Sequence, residues 1–219
     1  MSNIVSTTET FVRDLFKEKL SGTFTYHNLT HTLRVLKGTN EIIENSKINA
    51  KDAVILQLSA LLHDTGYIES RENHEEISVR IAKEFLEGQN VDKETISGVA
   101  ECILATKMNH EPANLLEEAI RDADSSHFGK KYFQEVSEFL RKEYSLQGVQ
   151  EYSAQDWRDT TIKFMVKKHQ FYTPYAIKEW QPQKESNLAK LLKDKKKDKK
   201  KIKKEKLKAE LKAKYKDAS

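Results

Sequence analysis

Apolar residues in this chain recur at three- and four-residue intervals almost throughout, and no convincing stretch alternates apolar with polar. That spacing gathers apolar side chains on one stripe of an α-helix and argues against half-buried strands. The first run spans Ile4 to Leu20, with Phe11, Val12, Leu15 and Phe16 in register and Gly22 closing it. A second is predicted from about Tyr26 to Asn45, turning Leu29, Leu33, Leu36, Ile42 and Ile43 inward. A third begins near Asn49 and carries Val54, Ile55, Leu58, Leu61 and Leu62, a nearly continuous apolar face suited to the centre of a bundle. After Gly66, helices are predicted near 74–87, 93–106, 113–125, 130–145 and 154–168. Gly88, Pro112, Gly129 and Gly148 punctuate them as stop signals. The expected fold class is all-α, a compact bundle with short connections and a Lys-rich C-terminal helical extension.

Charge divides the 219 residues at about position 180. Residues 181–219 hold 16 Lys and 6 acids, a net +10 within a chain whose total is +4, which leaves 1–180 at −6. The expected organisation is therefore a domain over 1–180 and a helical or frayed tail over 181–219. The overall basicity belongs to the tail, so a specific nucleic-acid-binding protein is not expected. Lysine runs without Arg or stacking aromatics give salt-sensitive, non-specific contact. The plain reading of the tail is a solvated helix. Sharper ones are a short coiled coil or a polybasic segment at an anionic membrane surface. The chain stops at Ser219 without a helix-ending signal, which leaves open a longer parent protein. Cys102 is the one cysteine, no signal-peptide pattern opens the chain and no run reaches the length of a membrane helix, so a cytoplasmic setting is expected.

Chemistry concentrates in three places. Tyr26-His27-Asn28-Leu29-Thr30-His31 sets two imidazoles four residues apart, on one face if the segment is helical. Leu61-Leu62-His63-Asp64 ends an apolar helix in an adjacent imidazole and carboxylate. Both polar groups would sit at the edge of the core, where being unpaired is costly and a divalent cation would satisfy them. Arg121-Asp122-Ala123-Asp124 follows the apolar residues Leu115, Leu116, Ala119 and Ile120. Asp124 alone reads equally well as a polar helix terminus.

Taken in order, His31, His63-Asp64 and Asp124 resemble the H…HD…D signature of the HD superfamily of metal-dependent phosphohydrolases. The flanks extend the likeness: "YHNLTHT" is similar to the motif of cyclic-nucleotide phosphodiesterases, "LLHDTGY" to the family's central motif, and "RDADSSHFG" to the closing segment of bacterial members. "HQFYTPYA" at 169–176 extends it more loosely. The resemblance implies a divalent-metal site. With His74 and His110 added, it implies two ions held by His31, His63, Asp64, His74, His110 and Asp124, with Asp64 bridging. Such a site, with a hydroxide between the ions, would carry about +1 and attract phosphate. An N/O donor set suits Mn, Fe, Co, Ni or Zn, with Mg also open. The plainer readings are a helix-start surface residue for His74 and a loop residue for His110.

The reaction the resemblance implies is attack of metal-bound hydroxide on a phosphate ester or anhydride of a nucleotide-like substrate. Asp64 would take part in catalysis as the bridging ligand. His27 would protonate the leaving oxygen, or else orient a ligand from behind. Lys107 and Arg34 are candidates for the phosphate oxygens, or plain surface charges. His127 is expected at the packing or rim, His169 near the pocket and Cys102 in the core. The competing expectation is a nucleotide-sensing module of a longer, membrane-linked signalling protein, binding without turnover.

Overall fold

A computed structural model describes residues 2–216. Among the described residues there are ten α-helices and two 3-10 turns, and no strand. The helices are α1 Ser2–Lys19, α2 Leu29–Glu44, α3 Ala50–Leu62, α4 His74–Gly88, α5 Lys93–Ala105, α6 Leu115–Asp124, α7 Phe133–Leu146, α8 Ala154–Lys167, α9 Pro174–Glu179 and α10 Gln181–Lys216. The 3-10 turns are Thr65–Ile68 and Ser126–Gly129. Ser219 lies outside the described residues.

Local chemistry explains where the helices begin. Asn28, Asn49, Asp92, Asn114, Ser153 and Thr173 each turn a side-chain oxygen back onto amide hydrogens of the first turn. Those amides have no partner inside the helix, so short polar residues are favoured there. The Asn28 cap also corrects one expectation. The second helix starts at Leu29, so His27 stands outside it and does not share a helical face with His31.

Helix α3 occupies the centre. Seven of its last eight residues, from Ile55 to Leu62, are buried, and α3 packs on α1, α2, α4, α5 and α6. Leu58, Leu61 and Leu62 are wholly shielded, each contributing about 1.5–3 kcal/mol of apolar burial. On α2 the inward face is His31, Thr32, Val35, Gly38, Thr39 and Ile42, while Leu33 and Leu36 are only half-buried. The chain turns after α3 at Gly66, where a Cβ would fall 2.0 Å from the His74 carbonyl oxygen. Its amide donates to Ser78 Oγ at 2.8 Å. Only glycine permits this approach, which brings the start of α4 against the end of α3.

The C-terminal extension is two things. Up to Asp198, α10 is part of the body: Lys184 and Leu191 are buried, and Arg158–Asp198 and Lys195–Asp159 ion pairs close at 2.5 and 2.9 Å. The side chains of residues 199–208 are all exposed. No described helix is long and apolar enough to cross a membrane.

Candidate metal centre

Two helices end at one point. Helix α3 stops at Leu62 with His63 as its C-cap, and α6 stops at Asp124. The carboxyl end of a helix carries partial negative charge and favours a cation. His31, in the first turn of α2, completes the approach. His31, His63 and Asp124 each offer a donor atom, and the three atoms lie within 4.8 Å of one another. Asp64 joins them: its Oδ2 is 3.3 Å from His31 Nε2 and 3.2 Å from His63 Nε2. Its Oδ1 faces the other way, 3.8 Å from His74 Nε2.

The donor set fits a divalent cation. His63 Nδ1 lies 3.0 Å from the Ala60 carbonyl oxygen, to which it donates, so in the neutral ring the lone pair of Nε2 is left for the cluster. His31 Nε2 and His63 Nε2 face each other at 3.3 Å, and Asp124 Oδ1 is 3.1 Å from the former. Asp64 Oδ2 is shielded from solvent and receives no hydrogen bond. Without a cation, a proton must take its place. Burial pulls the His63 imidazolium down, but the charges of Asp64 and Asp124 more than reverse this and raise the pKa to about 9. Burial likewise opposes ionisation of Asp64, and the His63 charge overcomes it, holding the carboxyl well below the usual range. The carboxylates of the cluster thus favour positive charge beside them.

An aromatic column stands beside this cluster. His27 stacks on Tyr67 at 4.4 Å, and Tyr67 stacks on His74 at 4.0 Å. The His27 ring centre is 5.7 Å from that of His31. Glu143 of α7 braces it: Oε1 accepts from His27 Nδ1 at 2.5 Å, and Oε2 accepts from the backbone amides of Tyr26 and His27 at 2.7 and 2.9 Å. Glu143 is fully buried. Burial raises its pKa, but these hydrogen bonds and the His27 charge outweigh that and lower it. Sequence reasoning missed this residue. Its signal was a glutamate on the apolar repeat Phe133, Val136, Leu140, Glu143, where a carboxylate needs a buried partner.

Other expected site residues are placed elsewhere. His110 Nε2 is 2.7 Å from Glu117 Oε2, and Glu117 also accepts from the Ala113 amide and from Asn114. This local network holds His110, and no described contact joins it to Asp64 or Asp124. Lys107 Nζ is paired with Glu76, and Arg34 lies over the Tyr132 ring at 5.0 Å. His127 packs between Phe128 and Tyr26, with Nδ1 3.3 Å from the Tyr26 hydroxyl, and burial pushes its pKa down to about 3. Cys102 is in the core, its thiol pushed up to about 12 by burial.

Asp122, two residues before Asp124, anchors the segment 169–173. It accepts from the amides of Tyr172 and Thr173 and from the Thr173 hydroxyl at 2.7–3.1 Å. Burial nevertheless raises its pKa to about 6. His169 is thereby set among Phe128, Phe164 and Phe171.

The fold and the clustered His and Asp donors define an all-α domain with a group that could hold a metal ion. Residues 28–129 match the family model of the HD domain. That segment is similar to the HD domain, and HD domains are generally metal-dependent hydrolases. No curated protein and no solved structure gives a match.

Proposed function

We propose that this protein hydrolyses a phosphate ester or anhydride of a nucleotide-like substrate with the help of a divalent cation. The observation that carries the reading is the convergence of His31, His63, Asp64 Oδ2 and Asp124, two imidazoles and two carboxylates with one buried oxygen unpaired. A divalent cation there would lower the pKa of water and neutralise charge on the phosphoryl oxygens. His63 and Asp64 are fixed by the end of α3, His31 by the Asn28 cap and Asp124 by the end of α6. His27 is the proton donor to the leaving oxygen. With Nδ1 held by Glu143, its imidazolium keeps Nε2–H free to give. Glu143 fixes the ring, as a carboxylate behind a histidine does.

Donors that could hold one cation lie together. A second would draw on Asp64 Oδ1 and His74, and would need His110 to leave Glu117. Among Mn, Fe, Co, Ni, Zn and Mg, the imidazole share favours the transition ions. Elemental analysis of the purified protein beside a His63→Ala/Asp64→Ala variant tests this. About one transition-metal equivalent per chain is expected, lost in the double variant. About two would establish the binuclear arrangement and bring His110 into it. No metal, even after Mn or Fe is added back, overturns the enzyme reading.

A further inference from the structure

Helix α10 is tied to the body as far as Asp198, which pairs with Arg158, and then leaves it. Residues 199–208 hold seven lysines and one acid, Glu205, a net +6 on a segment whose side chains are all exposed. At a rise of 1.5 Å per residue these ten residues span about 15 Å, longer than the screening length of about 8 Å at physiological salt. Much of this charge is therefore screened from the acidic body and is free to attract an external anion.

The side chains name the kind of anion. Lys199, Ile202, Lys203, Lys206, Leu207 and Glu210 lie along one face of the helix, and Glu205 turns away from it. Ile202 and Leu207 are 41% and 56% exposed and flank the three lysines. On a bilayer, such apolar side chains enter the boundary between headgroups and acyl chains, while lysine stems run along it and lift their charge to the phosphates. The backbone of a nucleic acid offers Ile202 and Leu207 nothing. The segment also lacks the arginine forks that clasp nucleic-acid phosphates and the aromatic rings that stack on bases.

We infer that this face of α10 docks on an anionic phospholipid surface, with Lys199, Lys203 and Lys206 on headgroup phosphates and Ile202 and Leu207 at the acyl boundary. The attachment is stiff. The helix runs unbroken from Gln181, and Asn187 near its start donates to the carbonyls of Phe128 and Lys130 in the turn after Asp124. Docking therefore holds the domain in one orientation to the surface, where a loose tether would let it tumble.

The test is co-sedimentation of the full chain with vesicles of phosphatidylcholine containing about one-third phosphatidylserine, and with phosphatidylcholine alone. The wild type is expected to sediment with the mixed vesicles only and to be released as salt is raised. Lys199→Gln/Lys203→Gln/Lys206→Gln should weaken that binding about a hundredfold. Ile202→Gln/Leu207→Gln, which leaves the charge unchanged, should weaken it about tenfold. Glutamine keeps the helix and all five positions are exposed, so melting temperatures should match the wild type. A short DNA duplex is titrated in parallel. No binding to the mixed vesicles, equal binding to both vesicle types, or full binding by the Ile202→Gln/Leu207→Gln variant overturns the inference. Tighter binding to the duplex than to the vesicles, indifferent to Ile202 and Leu207, overturns it in favour of a nucleic acid. None of these readouts depends on the metal, so the hydrolase reading stands or falls separately.

Discussion

His169 shows how a residue can be costly and still be kept. Both its ring nitrogens are shielded from solvent and neither has a hydrogen-bond partner. Burial, with Lys184 adding repulsion, pushes its pKa down to about 2. In the unfolded chain the imidazole returns to about 6.5. Below that pH the unfolded state takes up a proton that the folded state refuses, so this group's contribution to stability is complete above 6.5 and is lost as pH falls. Between pH 6.5 and 5 the loss amounts to at most about 2 kcal/mol. His169→Phe, packed among Phe128, Phe164 and Phe171, removes this term. Thermal melts should show the wild type falling in stability from pH 6.5 to 5 and the variant falling less; parallel curves would contradict the assignment. Part of the slope will remain, because His127 is depressed in the same direction. His169 was visible as a histidine near a recognisable segment. Its unpaired state was not, because that depends on Phe128, which only packing brings against the segment from Phe164 to Phe171.

At the scale of the element, the site depends on how helices start and stop. The Asn28 side chain accepts from the amides of Thr30 and His31 at 2.9 and 3.4 Å, and its amide donates to the carbonyls of Phe24 and Thr25 at 3.2 and 3.0 Å. One residue thus caps α2 and fixes the turn that carries His27, with the candidate ligand His31 in the first helical turn. Asn28→Ala should destabilise the metal-free protein by about 1–2 kcal/mol, the usual cost of a lost N-cap. It should also release metal to a competing chelator more readily than the wild type, with Asn28→Asp between the two. An alanine variant that holds metal as tightly as the wild type would separate the cap from the site. The boundaries of α3 and α6 were readable because apolar runs end there in His-Asp and Asp-Ala-Asp. The start of α2 was placed three residues early, since apolar spacing does not register a cap. Glu143 was missed because α7 was read for its apolar residues, and only tertiary packing sets His27 against that helix.

For the molecule as a whole, the charge division expected near residue 180 does not coincide with a structural one. Asn187 donates to the carbonyls of Phe128 and Lys130 at 2.9 Å each, Lys184 Nζ donates to the His169 carbonyl at 2.7 Å, and Leu191 is buried. A chain stopped after Asp198 should therefore keep its melting temperature and metal content, because the side chains of residues 199–208 are exposed to solvent. One stopped after Gln183 should melt several degrees lower, since it loses buried contacts with the turn that follows Asp124. Equal melting temperatures for the two truncations would show that α10 adds no stability. By itself the sequence determined the helical class and the central place of α3, and it marked His31, His63, Asp64 and Asp124 as candidates, because periodicity and short motifs are local properties of a chain. Tertiary structure alone decided that Asp64 turns one oxygen to His31 and His63 and the other towards His74. It also decided that Glu117 holds His110, Glu76 holds Lys107, and Glu143 and Arg71 stand beside His27. Charged side chains choose partners by distance and burial in space, and those are set only when helices far apart in sequence pack together.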